Sequence, residues 1–125
     1  MTIQAAIDRI DDMKPNMFTV PQKIAWLSEV DSYIWREIIK THEGVPAGVV
    51  FAGYDQETPM DTELLVPEPY TDVYDAYLSA QMDLKNAESG KYAQNMVRFN
   101  NAWQTYGDYY NRHHMPIQMV RQFRL

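Results

Sequence analysis

The run DYYNRHHMP, residues 108–116, sets two adjacent histidines behind a tyrosine pair, and His42 supplies the third imidazole of the chain. Imidazoles can ligate a metal or carry a proton, so their spacing decides what these three could do. Adjacent side chains on a helix diverge by about 100°, which prevents His113 and His114 from easily chelating one ion together. A di-iron carboxylate site in a helical bundle needs inward-facing Glu-x-x-His pairs, but Ile39, Tyr110 and Asn111 stand three positions before the histidines. His42-Glu43 fails the His-Glu-x-x-His zinc pattern as well, because Pro46 occupies the place of the second histidine. Arg112, His113 and His114 do suit the negative end of a helix dipole, where cationic side chains are favoured.

Other chemistries find little support. Ser28, Ser32, Ser79 and Ser89 lie in or beside helical patterns without the glycine-flanked elbow of a serine nucleophile. The stretch GVPAGVVFAG lacks the Lys-Ser/Thr ending of a phosphate loop. With no cysteine, thiol chemistry and thiolate metal clusters are excluded. Asp11 and Asp12 read as a solvated face, since catalytic carboxylates need a cleft that shifts their pKa. The helically spaced tyrosines lack the interleaved basic residues of a platform for single-stranded bases; they suit packing, or a protein interface. The expectation is a protein that is not an enzyme and has no cofactor. Two alternatives stay open: a small helical metal-binding protein or enzyme using His42, His113 and His114, and a helical regulatory or scaffold protein.

The elements that must position these residues follow from periodicity. From Thr2 to about Lys14, residues Ile3, Ala6, Ile7, Ile10 and Met13 recur at helical spacing, with Thr2 as cap and Pro15 as stop. A second helix opens at TVPQ with a capping-box pattern between Thr19 and Gln22, carries Leu27, Val30, Ile34 and Ile38, and closes near His42 and Gly44. A third is expected to open with Pro69 in its first turn and to line one side with Tyr70, Tyr74, Tyr77, Gln81 and Leu84. Gly90 marks a break. In the fourth, Tyr92, Met96, Phe99, Trp103, Tyr106, Tyr110 and His113 form a continuous seam.

The fold class expected is all-α, a small bundle of about four helices. A long, partly ordered loop over 43–68 separates helices two and three, and only GVVFAGY within it has strand-like content. The helical domain spans 1–116 and a tail spans 117–125. A chain of 125 residues suits one domain, and no apolar run is long enough to span a membrane. The opening MTIQAAIDRIDD carries acids instead of a basic start, so no secretory signal is expected. The absence of cysteine suits a reducing cytoplasm. A net charge of −6 argues against gripping phosphate backbones. The charge is uneven: between Glu43 and Glu68 there are acids and no Lys or Arg, whereas Arg112, Arg121 and Arg124 stand in a final stretch free of acids.

The segments ELLVPEPYTDVYDAYLSAQMDLKNAE and YAQNMVRFNNAWQTYGDYYNRHHMP, preceded by TIQAAIDRIDDMKPN and KIAWLSEVDSYIWREIIKTHEG, resemble the head-tail connector, or neck adaptor, proteins of tailed phages and prophages of Gram-positive bacteria. The resemblance covers nearly the whole chain to about Pro116, and LLVPEPY and YYNRHHMP are its most specific stretches. It implies a non-enzymatic structural virion protein, a helical subunit that forms a homo-oligomeric ring between the portal protein and a tail-side connector protein. Its implied places are the virion neck and, during assembly, the cytoplasm of the bacterial host, with DNA passing through the ring without specific binding. A closed ring uses two different complementary faces, and the acidic loop and basic tail are candidates whose opposite charges would guide register. The resemblance carries over no functional residue. Exposure logic alone selects Phe51 and Tyr54 as loop anchors at an interface, and Arg121, Phe123 and Arg124 as tail contacts.

Overall fold

The structure, a computed structural model, describes residues 1–117. Helix α1 spans Ile3–Met13, α2 spans Val20–Ile34 and runs on into a π-helical turn at Trp35–Ile39, α3 spans Asp72–Lys85 and α4 spans Ser89–His113. Among the described residues there is no strand, only the isolated pairings Thr2 with Glu63 and His42 with Pro116. The all-α bundle is therefore observed, and no helix among the described residues is long and apolar enough to cross a membrane.

Local chemistry sets the helix starts. The Thr2 hydroxyl accepts from the Ala5 N–H at 3.1 Å, and α1 then buries Ile3, Ala6, Ile7 and Ile10. At α2, Thr19 accepts from the Gln22 N–H while Gln22 Oε1 accepts from the Thr19 N–H at 2.8 Å, so two orphan donors are satisfied reciprocally. The third helix is the centre of the bundle: every residue from Val73 to Ala80 is buried. It meets α1 through Arg9 and Asp75, α2 through Asp31 and Tyr74, and α4 through Tyr77 and Phe99. A helix wrapped on all sides needs no single apolar stripe.

Several expectations change at the element ends. Helix α3 begins three residues after Pro69, whose peptide bond with Glu68 is cis. The residues before it form turns, with the Tyr70 N–H donating to Pro67 O and the Tyr74 N–H to Thr71 O. The expected tyrosine side of α3 is partial, because Tyr74 and Tyr77 are buried but Leu84 is 52% exposed. The break before α4 falls at Ala87, in the left-handed region at φ 57°, and Gly90 lies inside the first turn of α4. The α4 seam is shorter than its pattern: Phe99, Tyr106 and Tyr110 are buried, Tyr92, Met96 and Trp103 are half-buried, and His113 is exposed. At 25 residues against 14, α4 outruns α3, so its ends have less to pack on.

The long loop lies against its own bundle. Ile3 N–H donates to Thr62 O, Gln4 N–H to Met60 O and Leu64 N–H to Met1 O, while Leu64 and Val66 are buried. The chain after α4 turns back along the end of α2, where the Glu43 N–H donates to Met115 O at 3.0 Å and the Ile117 N–H to Thr41 O at 2.9 Å. GVVFAGY forms no strand; Val49 to Asp55 runs without turn or bend and has no strand beside it among the described residues.

Candidate functional site

Asp31 is the most unusual residue of the interior. It sits on the buried face of α2 between Leu27 and Ile34 and is 0% exposed. One carboxylate oxygen accepts from the Tyr74 hydroxyl at 2.7 Å; the other accepts from the Tyr54 hydroxyl at 2.5 Å and from the Leu65 N–H at 3.1 Å. Tyr74 accepts in turn from the Val66 N–H at 2.8 Å. The Tyr54 N–H donates to Ser28 Oγ at 2.9 Å, one turn before Asp31. A single carboxylate thus fastens both ends of the 54–66 segment to α2 and α3. It forms no ion pair among the described residues, so burial pushes its carboxyl above the ordinary value against the pull of the three hydrogen bonds. Burial, with the Asp31 charge beside them, pushes both phenols up as well.

Two more buried aspartates act as fasteners, each with a cation. Asp75 takes Arg9 at 2.7 Å, and the same guanidinium reaches Thr71 O and Oγ1. Burial raises the Asp75 carboxyl although Arg9 pulls the other way. Thr71 donates to Glu68 at 2.9 Å, so α1, the PEPY turn and the start of α3 are tied at one point. Asp83, 0% exposed, bridges Lys14 and the Asn95 amide, joining the end of α1 to α3 and α4. Lys23, itself buried, pairs with Asp11 at 2.7 Å. Burial works against the Asp11 carboxylate, but the hydrogen bonds from Lys23 and Asn16 and the Lys23 charge outweigh it and hold the group below its ordinary value.

The histidines separate into different roles. His42 is buried, with Nδ1 against Ile38 O and Nε2 against Asn111 Oδ1, both at 2.5 Å, and its ring meets Tyr110 edge-on. His114 stacks on Tyr110 at 4.0 Å, and its buried Nδ1 has no hydrogen-bond partner among the described residues. His113 turns outward, bonded to Tyr109 O at 2.8 Å with its ring tilted against that of Tyr109 at 4.4 Å. His42 and His114 therefore share a tyrosine while His113 stands apart, and among the described residues no group of three or more His, Asp or Glu is placed to hold a metal ion. These rings pack the end of α4 against the end of α2.

Of the residues selected from sequence, Phe51 packs between Trp35 and Tyr54, at ring separations of 6.3 and 5.3 Å, and Tyr54 points inward to Asp31. Both anchor the loop to its own chain. Arg121, Phe123 and Arg124 lie outside the described residues. Sequence reasoning missed Asp31, Tyr74 as its donor, Asp75 and Asp83. Asp31 had left a signal, since it stands inside the apolar stripe of α2, and a lone carboxylate there requires donors from elsewhere in the chain. Among the open clefts in the surface of the described residues, two concern this site's surroundings. One, of about 460 Å³, lies between the start of α3 and the outer side of α4; the other, of about 520 Å³, is lined by Arg36, Lys40, His42, Asn111 and Ile117. Compared with family models, curated proteins and solved structures, the chain matches none.

Proposed function

We propose that the chain is a structural assembly subunit, a head-tail connector of the kind it resembles, forming a ring between a portal protein and tail machinery. The observation that carries the reading is the use of the buried carboxylates. Asp31, Asp75 and Asp83 are saturated by donors that tie loops and helices together, and the tied loop presents Asp55, Glu57, Asp61 and Glu63 at the surface. A fixed acidic surface repels DNA phosphates, which suits a lumen that DNA passes through without being held. Association with other polypeptides would then rest on the uncharged parts of the surface.

The test is co-expression with the portal protein encoded in the same genome, followed by electron microscopy of purified portal rings. Added density on one end of the ring, containing this chain in a fixed ratio, is expected. Portal rings that emerge bare would refute the reading.

A further inference from the structure

We propose that the notch between the π-helical turn at Trp35–Ile39 and α4 receives an arginine side chain presented by a partner polypeptide. The notch is a cleft of about 210 Å³, smaller than the pockets of small-molecule sites, so it suits one side chain and not a whole segment. Trp103, Gly107 and Asn111 stand four residues apart and line its α4 wall, with Gln104 beside them. Glu37 and Ile38 form the other wall, and His42, with Nε2 against Asn111 Oδ1 at 2.5 Å, bridges the two. Two departures from regular helix meet at this place. The Lys40 N–H reaches back to Trp35 O at 2.8 Å, the wide turn that recurs at functional sites. On the facing wall, Gly107 lies deep inside a 25-residue helix, where glycine costs about 1 kcal/mol relative to alanine. An added Cβ there would meet no atom within 4 Å, so nothing in the described chain requires the glycine. What its missing side chain provides is room in the notch.

The polar groups left over in the notch are acceptors. Gln104 donates its Nε2 to Asp108 at 3.0 Å, which leaves its Oε1 to accept. Glu37 takes Arg36 on one oxygen at 3.2 Å, in an exposed pair that contributes little, and its other oxygen has no partner among the described residues. Trp103 lines the notch half-buried, with an indole available to a cation. A planar cation rich in N–H donors, carried on an apolar stem, satisfies these groups together. Its donors pair with Glu37 and Gln104, its plane stacks on the indole, and its stem lies against Ile38 and the open side of Gly107. A lysine ammonium would meet the carboxylate as a point charge, without a plane to stack on the indole. The net charge of −6 favours a basic partner, as do Glu37 on one helix and Asp108 on the other.

This inference goes beyond the connector reading and is tested without the portal. The probe is acetyl-Gly-Arg-Gly amide, titrated into the isotope-labelled full chain and followed by two-dimensional NMR. Saturable shifts are expected at the Trp103 indole N–H, Gly107 and Asn111, with the corresponding lysine tripeptide binding about fivefold more weakly. Gly107→Ala puts a methyl group into the notch, so it should weaken binding about tenfold while leaving the melting temperature unchanged or higher. Glu37→Gln keeps the shape and removes the charge, and should weaken binding about fivefold. No saturable shift, an equal response to the lysine peptide, or undiminished binding by Gly107→Ala would each overturn the proposal. So would saturation that appears only when Arg121 and Arg124 are both replaced by alanine in the full chain, because the chain's own end would then be the occupant. Failure of the titration alongside added density on the portal would remove this site and leave the connector reading standing; binding alongside bare portal rings would do the reverse.

Discussion

Replacing Asp31 by alanine tests the central claim about this fold, that one buried carboxylate fastens the long loop. The substitution strands three donors. Tyr74 is 1% exposed and the Leu65 N–H is partly buried, so neither donor finds water easily, whereas Tyr54 lies nearer the surface and can turn outward. Each buried donor left unsatisfied costs about 1–3 kcal/mol, giving about 2–6 kcal/mol for two. Removing a buried carboxylate returns part of that by ending its desolvation, and a net loss of about 3 kcal/mol is expected. In a domain of this size that corresponds to a melting temperature lower by roughly 10–15 °C. Urea and thermal unfolding followed by circular dichroism measure the loss, and amide hydrogen exchange locates it. Protection should fall first at Tyr54, Leu65 and Val66, with the centre of α3 still protected. A loss below about 1 kcal/mol, with exchange at those amides unchanged, would refute the reasoning.

Asp31→Asn should alter the pH dependence of stability. The folded-state carboxyl lies above the ordinary aspartate value, so its stabilising contribution is complete below that value and is lost as pH rises through the folded-state value. Relative to the asparagine variant, the natural protein should therefore lose ground in urea unfolding as pH rises above about 4; a gap that widens in favour of aspartate would contradict the assignment. Gly53→Ala meets both a positive φ and Ser28 Oγ, and should cost about 1–3 kcal/mol in a thermal melt, whereas Gly90→Ala, with nothing near the added carbon, should be neutral or slightly stabilising. Zinc should leave the melting temperature unchanged, because both His42 nitrogens already face oxygen partners and His113 points away; a zinc-dependent rise abolished by His42→Ala would revive a metal-binding reading.

Some structure was legible from neighbouring residues alone. Thr2 and Thr19 mark their helix starts because a cap bond spans three residues, and the apolar spacing of α1 maps onto the positions it buries from Ile3 to Ile10, although Met13, the last of the stripe, is exposed. The end of α4 was read correctly as a place where tyrosines pack, as Tyr110 does. The opening of α3 was misplaced because Pro69 satisfies first-turn chemistry equally well in a turn before the helix. Gly90 drew the break to itself, although Asn86 and Glu88 bonds back into α3 fix the turn at Ala87.

Taken by itself, the sequence determined the helical class, the two capped helix starts, the absence of thiol chemistry and the negative charge, since each depends on composition or on residues within a turn or two of one another. Only the tertiary structure decided that α3 lies at the centre, that the acidic loop is bound to its own bundle, and that His42 and His114 meet across Tyr110 while His113 does not. Asp31 draws on donors 23, 34 and 43 positions away, and no local pattern encodes such distant pairings. A buried carboxylate announces that it needs partners; only the folded chain selects them.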